Sequence, residues 1–593
     1  MCGIFGLVKK QNHRVIQDEM YLMHKAQIHR GPDNFGYFCN DNIFLGNNRL
    51  SIIDLSDGNQ PFYSKDKNII VLQNGEIYNY LELKDELVSN NINFETNSDT
   101  EVILRLYEQY NLSMLDKLNG MFSISILDFN NNKLHLIRDR FGQKPLYFYD
   151  NTEQFIFSSE IKSILDLGIK TSINKNALIS YLNYNFVAGR ETIYDGIKTV
   201  LPGNYLTLDI RDLYIKEYKW WKPEEEINYY QNLIFGNTTK NLVHDLVHDL
   251  VHDSIKLRMR SDVEYSAFLS GGIDSTIIVS QMNKLSNNKF NTLTIGFENS
   301  KFDESIFANE VANELNVNHT CKNVDRSLLS YWDDVLMYAE QPHGDVSFIP
   351  MYLLSKYASE NDKVVLTGDG ADEIFGGYSK YSLFCENKNL KELYKKSSTL
   401  FSDIEISKLL NINLNKNFDV LDNLVDSDTV IGSDILLSNQ DKAMYLDTIF
   451  LLPFNNLIKP DKMGMSHSLE LRSPFLDYRV MSLALAIKSE DKIANGQSKY
   501  ILRKAFKDDI PDVIFKRRKQ KFIVPLEEND DTIEYFFNQI NESNIILEQG
   551  LNRQFIENLF FEHTSKKNNN YRKIRAITAL SKWYNYYSKY VKN

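Results

Sequence analysis

The sequence predicts a two-domain chain of α/β and α+β class: a layered sheet structure first, a doubly wound parallel sheet second. Around Gly120–Ser123 and Ile137–Tyr147, alternating apolar segments read as strands of a layered sheet. From Tyr265 onward strand-like runs alternate with helical runs, an order that gives a parallel sheet with ligands at the strands' carboxyl ends. At 593 residues the chain is long enough for two to four cores. The boundaries read as 2–215 and 235–593.

The second domain is organised around Phe268-Leu269-Ser270-Gly271-Gly272-Ile273-Asp274-Ser275. This string follows an apolar run, Tyr265 to Leu269, and opens into a helix-like run, Thr276 to Leu285. Glycines and serines at a strand-to-helix turn present backbone N–H groups at a helix N-terminus, which suits phosphate oxygens. Asp274 adds a carboxylate suited to holding Mg2+ against those phosphates. The chain has no G-x-x-x-x-G-K-[ST] loop. Taken alone, the string also fits a plain glycine-bearing βα turn.

Phe290–Phe297 reads as a second buried strand, followed by helix-like Glu304–Leu315 and by Val317–Val324. Lys363 to Tyr378 then ends a strand in a glycine-rich turn bearing Asp369, Asp372 and Glu373. Acids beside a polyphosphate make sense with a metal between them, and Asp372 pairs with Asp274 as a Mg2+ ligand. The plainer reading is an N-capped acidic turn. Beyond about 530 the chain reads helical.

At the other end, Met1-Cys2-Gly3 places a thiol beside an α-amine once Met1 is removed. Such an amine titrates near ~7.7–8.0 and can take the thiol proton. A small buried residue opening a strand is the alternative. Four strings follow: His29-Arg30-Gly31-Pro32-Asp33, Arg49-Leu50-Ser51-Ile52-Ile53-Asp54, Asn74-Gly75-Glu76-Ile77-Tyr78-Asn79 and Ser98-Asp99-Thr100-Glu101. Taken singly, Asn74-Gly75 also fits a hairpin turn and Gly31-Pro32 a loop.

Net charge of −12 argues against nucleic acid or an anionic membrane as the main partner. Hydrophobic content of 43% with 25% charged residues describes an ordinary folded protein, and no apolar run is long enough to span a bilayer. No leader is apparent. The scattered Cys2, Cys39, Cys321 and Cys385 fit a reducing compartment and exclude a cysteine-only zinc site. A cytoplasmic location is expected. Trp220-Trp221-Lys222-Pro223 and the Glu/Asn/Tyr-rich stretch after it read as a linker. A Leu-Val-His-Asp repeat from Leu242 to Asp253 then sets His244, His248 and His252 on one helical face. Leu and Val recur at the same spacing, so the reading is a lengthened amphipathic helix with solvated histidines and no metal site.

With Cys2, the four N-terminal strings resemble the glutaminase domain of class II (N-terminal nucleophile) glutamine amidotransferases, an αββα fold. The resemblance continues through Gly120–Ser123, Ile137-Arg138-Asp139-Arg140-Phe141-Gly142-Gln143-Lys144-Pro145-Leu146-Tyr147, Phe157–Lys162 and Leu201–Asn204, strings read as structural. It implies Cys2 as nucleophile, with the Asn74 side chain and Gly75 N–H as oxyanion donors. Arg49, Leu50, Ser51, Ile52, Ile53, Glu76 and Asp99 then bind glutamine, Arg49 at its carboxylate and Asp99 at its ammonium.

The Phe268–Ser275 string resembles the pyrophosphate loop of the ATP-pyrophosphatase group. With Pro460–Ser466, Glu470–Asp477 and Ser498–Arg503, the chain resembles glutamine-hydrolysing asparagine synthetases over nearly its whole length. That resemblance implies ATP bound by Leu269, Ser270, Gly271, Gly272, Asp274, Ser275, Ile295, Thr367 and Gly368. It also implies Mg2+ on Asp274 and Asp372, Asp369 and Lys499 as catalytic groups, and a sequestered tunnel between the sites. The implied reaction converts ATP, aspartate and glutamine into AMP, pyrophosphate, asparagine and glutamate. Its partners are small molecules. Oligomeric state is left open, a homodimer being one option.

Two departures bear on the acceptor. Gly368-Asp369-Gly370 stands where the best-known bacterial enzymes of the family carry Gly-Glu-Gly, and Gly344–Pro350 replaces an Arg-containing stretch. The alternative is therefore an amidotransferase acting on another carboxylate, such as a cell-envelope sugar acid or peptide precursor. A non-catalytic relative would be expected to lack Cys2, Asp274 or Asp372, and a ring-closing synthetase of the β-lactam type would lack the Cys nucleophile. All three residues are present.

Overall fold

The computed structural model describes residues 2–592 apart from 12, 237–239, 287–288, 298–302, 325–327, 386–388, 415–419, 437 and 517–528. Met1, whose removal the sequence suggests, lies outside the described residues. The first domain contains β1 (Cys2–Lys9), β2 (Asn34–Cys39), β3 (Ile43–Arg49), β4 (Phe62–Tyr63), β5 (Ile69–Ile77) and β6 (Gly120–Asp128). It continues with β7 (Lys133–Arg138), β8 (Tyr147–Asp150), β9 (Gln154–Ser158), β10 (Ile197–Thr199), β11 (Asn204–Asp209) and β12 (Ile215–Lys219).

Among the described residues these form two antiparallel sheets, ordered β10-β8-β9-β1-β3-β2 and β12-β11-β7-β6-β5-β4. Side chains alternate across each strand. On β1, Ile4 and Val8 face the second sheet and pack with Leu45, Leu72 and Leu136. Phe5 and Leu7 face the opposite way, toward the helices Gln17–Ala26, Ile161–Leu165 and Lys175–Tyr184. Val71 and Ile124 on the far side meet the helices Tyr80–Ser89 and Asp99–Tyr110. The result is the expected αββα stack. Asn74 and Gly75 lie inside β5, opposite Ser123 and Phe122 of β6, so the hairpin alternative is excluded.

The second domain holds β13 (Tyr265–Phe268), β14 (Asn291–Phe297), β15 (Asn318–Val324), β16 (Val364–Leu366) and β17 (Glu470–Arg472). All pair in parallel in the order β15-β14-β13-β16-β17. Chain order reverses between β13 and β16, so the crevice at their carboxyl ends is the switch point where such sheets bind ligands. The two glycine-rich strings leave the sheet there.

Two expectations are corrected. The stretch after Pro223 is a helix, Glu224–Phe235, with Glu224, Glu225 and Glu226 in its first turn, where they suit the helix dipole. Ile227 is fully buried, and the helix packs on Tyr478–Ala486. The repeat does form a helix, Lys240–Arg258, with Val247, Val251 and Ile255 as its buried stripe. His248 and His252 are not solvated passengers. His248 Nε2 lies 2.8 Å from Asp509 Oδ2, and His252 Nδ1 lies 2.8 Å from Gln281 Oε1. His248 and His252 thus face the helix Ile273–Leu285 and the chain around 506–509 while staying half-buried.

Candidate active sites

Cys2 is 5% exposed. Its position follows from pairing: β1 places it opposite Arg49 of β3, and its N–H donates to Asn74 Oδ1 of β5 (3.2 Å). Gln60 Nε2 approaches the sulfur at 3.9 Å, and the backbone N–H of Leu50 and the side chain of Asn47 also hydrogen-bond to it. Burial pushes the thiol up; the Arg49 charge and the Leu50 N–H oppose it without cancelling it. The resting group is a thiol that needs a base.

Gly75 has φ +139, and a Cβ there would stand 1.9 Å from the Met121 carbonyl, so the strand's close approach requires glycine. Asn74 Nδ2 donates to Ser159 Oγ (3.3 Å), which fixes the amide beside Cys2. Arg49 is buried, and its guanidinium holds Asn59 Oδ1 (2.9 Å) and the carbonyls of Ile53 (2.8 Å) and Asp54 (2.7 Å). The Leu50–Ile53 loop therefore wraps around the charge. Ser51 N–H donates to Asp33 (2.7 Å). Asp99 Oδ2 accepts from Gln73 Nε2 and from the Ile77 N–H, both at 2.9 Å, which brings it to Glu76. Burial raises both acids, and Arg472 stands 3.6 Å from Glu76. Of the predicted residues of this half, Arg49, Leu50 and Asn74 lie against Cys2 with Gly75 next in the strand, and Asp99 lies beside Glu76.

At the switch point, Ser270 N–H donates to Ser275 Oγ (3.2 Å), and Gly272 N–H to Ser270 Oγ (3.3 Å). The helix Ile273–Leu285 starts directly behind this turn. Lys499, 2% exposed with φ 53, sits between the two loops: its Nζ is 2.5 Å from Asp274 Oδ2 and 2.7 Å from Asp372 Oδ1. Burial alone would lower this ammonium; the two carboxylates outweigh burial and raise it. Lys499 is therefore no solvated helix-face lysine. Asp369 Oδ2 accepts from Thr367 Oγ1 (2.7 Å), and its carbonyl accepts from Ser473 Oγ. Leu269, just past β13, and Ile295, within β14, are core residues.

The residues present fit Mg2+. Asp274 and Asp372 aim hard oxygen donors at one point already occupied by a cationic nitrogen. Among the described residues no group of three ligand-type side chains forms a cage, so two carboxylates sharing a cation with phosphate oxygens is the arrangement on offer.

The domains meet through buried charge that the sequence did not reveal. Arg30 is fully buried; Nε donates to the Cys2 carbonyl (3.2 Å), NH1 to Glu160 (2.8 Å) and Asp461 (2.9 Å), and NH2 to Asp461 (3.1 Å). Lys462 holds Glu340 (2.5 Å) and Glu160 (3.3 Å). Burial would raise Asp461; Arg30 and Lys144 outweigh it and hold the carboxyl below its ordinary range. A cavity of about 20 Å3 lies beside this cluster, lined from the first domain by Met121, Gln143 and Lys144 and from the second by Thr367, Asp369 and Ser473. Asn47 and Gln60 are further neighbours of Cys2 that no sequence motif marked. Gln60 lies before a proline in a loop, and only its depth beside Cys2 distinguishes it.

Fold and geometry define a class: an amidotransferase domain joined to a nucleotide-dependent ligase domain. Residues 1–221 match the family model described as a glutamine amidotransferase domain, and residues 246–585 that described as asparagine synthase. The chain is 32% identical to asparagine synthetase (glutamine-hydrolyzing) 1 of Bacillus subtilis (strain 168), over 98% of this chain and 96% of that protein. It is 35% identical to putative asparagine synthetase (glutamine-hydrolyzing) 2 of Methanocaldococcus jannaschii, over 69% of this chain and 82% of that protein. It is 27% identical to amidase chry2 of Gibberella zeae, over 88% and 89% respectively. The chain belongs to the glutamine-hydrolysing asparagine synthase family. No helix among the described residues is long and apolar enough to cross a membrane.

Proposed function

We propose that the protein makes asparagine from aspartate, ATP and glutamine through β-aspartyl-AMP, using domains 2–215 and 235–593 in turn. The observation that carries this reading is Lys499 held between Asp274 and Asp372 at the switch point, in a chain that also buries Cys2 beside Arg49 and Asn74.

In the first domain the α-amine of Cys2, freed of Met1, takes the thiol proton, and the sulfur attacks the amide carbon of glutamine. The Gly75 N–H and the second Asn74 amide hydrogen, the first being given to Ser159, stabilise the oxyanion. Arg49 pairs with the substrate carboxylate, and Asp99 and Glu76 with its ammonium. Ammonia leaves, and water cleaves the thioester to glutamate.

In the second domain the β-carboxylate oxygen of aspartate attacks the α-phosphorus of ATP and pyrophosphate leaves. The Ser270–Ser275 turn offers N–H groups to the phosphates, and Lys499 offsets their charge. Mg2+, when held by Asp274 and Asp372, supplies further neutralisation of the phosphates. Ammonia then attacks the acyl carbon, Asp369 accepts a proton from the attacking nitrogen, and AMP leaves.

Aspartate labelled with 18O in its β-carboxylate tests the intermediate. One labelled oxygen per turnover should appear in AMP; label in inorganic phosphate, or none in either, contradicts the adenylate. The second reading, amidation of a cell-envelope sugar acid or peptide carboxylate, draws on the short Asp369 side chain held back on Thr367. It predicts AMP formation with such acceptors and none with aspartate.

A further inference from the structure

The chemistry of the two sites leaves Lys459 and the stretch Gly344–Pro350 unexplained, yet both stand beside the adenylation site. Asn456 Nδ2 donates to Glu373 Oε1 (2.6 Å), the residue after Asp372. Leu457, Pro460 and Asp461 line the small cavity that Thr367 and Asp369 also line. Lys459 falls between these residues, in the helix Ile458–Met465. It stands one turn on from the residue that touches Glu373. The helix Phe348–Ala358 packs on this one, with Ser347 just before its first turn.

Lys459 is half-buried, and its Nζ donates to Ser347 Oγ (3.2 Å), a neutral partner. Among the described residues no carboxylate pairs with this ammonium. Ser347 passes the contact on: its hydroxyl and N–H donate to Asp345 at 2.7 and 2.9 Å. Burial would raise Asp345; the charges around it, Lys459 foremost, hold it below its ordinary range. Arg575, on the helix Tyr571–Tyr587, feels the same carboxylate. Burial lowers its guanidinium, Asp345 offsets that only in part, and among the described residues its Nε has no hydrogen-bond partner.

Two cations thus share one carboxylate, and a half-buried ammonium held by a hydroxyl alone is costly unless an anion joins it. The phosphates of ATP have their own donors in the Ser270–Ser275 turn and Lys499. A polyphosphate would also be repelled by Asp345, whereas a zwitterion brings an ammonium that suits it. An amino acid with a second carboxylate matches this set of charges.

We propose that Lys459, backed by Ser347, binds the α-carboxylate of an amino-acid acceptor, with Asp345 beside its α-ammonium, and so selects acceptors that carry a second carboxylate. This rests on the function proposed above and deepens it. A sugar acid with a single carboxylate would leave Lys459 without its anion.

The test measures aspartate-dependent pyrophosphate release with ATP, Mg2+ and ammonium chloride, which takes Cys2 out of the assay. Succinate and propanoate, which differ by one carboxylate, are compared as inhibitors competing with aspartate. For wild type, succinate should bind on the order of 10- to 100-fold more tightly, the weight of one charge-assisted hydrogen bond. Lys459→Met should bring that ratio close to one and raise KM for aspartate by a similar factor, with kcat changing far less. Lys459→Arg should restore most of the ratio. A wild-type ratio near one overturns the proposal without recourse to any variant. So does a Lys459→Met protein that keeps the wild-type ratio. A rise in KM for ATP in place of that for aspartate assigns Lys459 to the nucleotide and overturns it as well. No aspartate-dependent release from wild type overturns the functional reading and this proposal with it.

Discussion

Arg30 and Asp461, 431 positions apart in sequence, form a two-pronged buried ion pair whose arginine also holds the backbone of Cys2. Removing one member of such a pair strands the other charge. Arg30→Met should destabilise the chain by about 3–5 kcal/mol, read from urea unfolding, whereas Arg30→Met with Asp461→Leu should recover most of that loss. An Arg30→Met protein as stable as wild type would mean that the pair is not the clamp described.

The two sites should fail separately. Cys2→Ala is expected to abolish glutamine-dependent synthesis and retain ammonium-dependent synthesis. Asp274→Ala should stop pyrophosphate release and leave glutaminase activity. Both activities lost together in Cys2→Ala, or pyrophosphate still released by Asp274→Ala, would contradict the assignments.

Gly377 tests the Lys499 bridge without touching a charge. A Cβ there would fall 1.6 Å from Asp372 Oδ1 and 2.5 Å from Lys499 Cε, so both side chains must shift. Displacement by about 1 Å costs on the order of 100-fold in a positioned site. Gly377→Ala should lose adenylation by that order with glutaminase unchanged; equal loss of both would point to misfolding instead.

Stability should depend on pH through Glu373. This residue is 1% exposed, accepts from the Tyr378 hydroxyl and Asn456 Nδ2, both at 2.6 Å, and is pushed up to about 7 by burial and by Asp372. Between the ordinary value near 4.5 and about 7, the native state binds more proton than the unfolded chain. Stability therefore falls as pH rises through that window, by about 3 kcal/mol in total, and levels off above it. Glu373→Gln keeps the acceptor oxygen and should flatten this slope in urea titrations from pH 5 to 8; an unchanged slope would assign the effect elsewhere.

What was legible in the sequence was local. Phe268–Ser275 and Lys363–Tyr378 carry their turn chemistry in consecutive residues, and parallel strands between helices bring two such turns to one crevice. Cys2, Arg49 and Asn74 were placed by resemblance, and strand pairing then brought them together. Contacts between distant segments left no trace of that kind. Arg30 reads as one residue of a loop, and Glu160 and Asp461 as parts of structural strings, until the fold brings them together. His248 looked solvated because periodicity gives a helix its faces but not what packs on them; Asp509 decided that. The short β17 is too brief for a period of two to register.

The most direct measurement is pyrophosphate release with ATP, Mg2+ and glutamine, with and without aspartate, alongside chromatography of the amino acids. An asparagine-forming enzyme releases pyrophosphate only with aspartate present, matched one for one by asparagine. Glutamate formation without any aspartate-dependent pyrophosphate would contradict that chemistry and leave an amidotransferase for a different carboxylate.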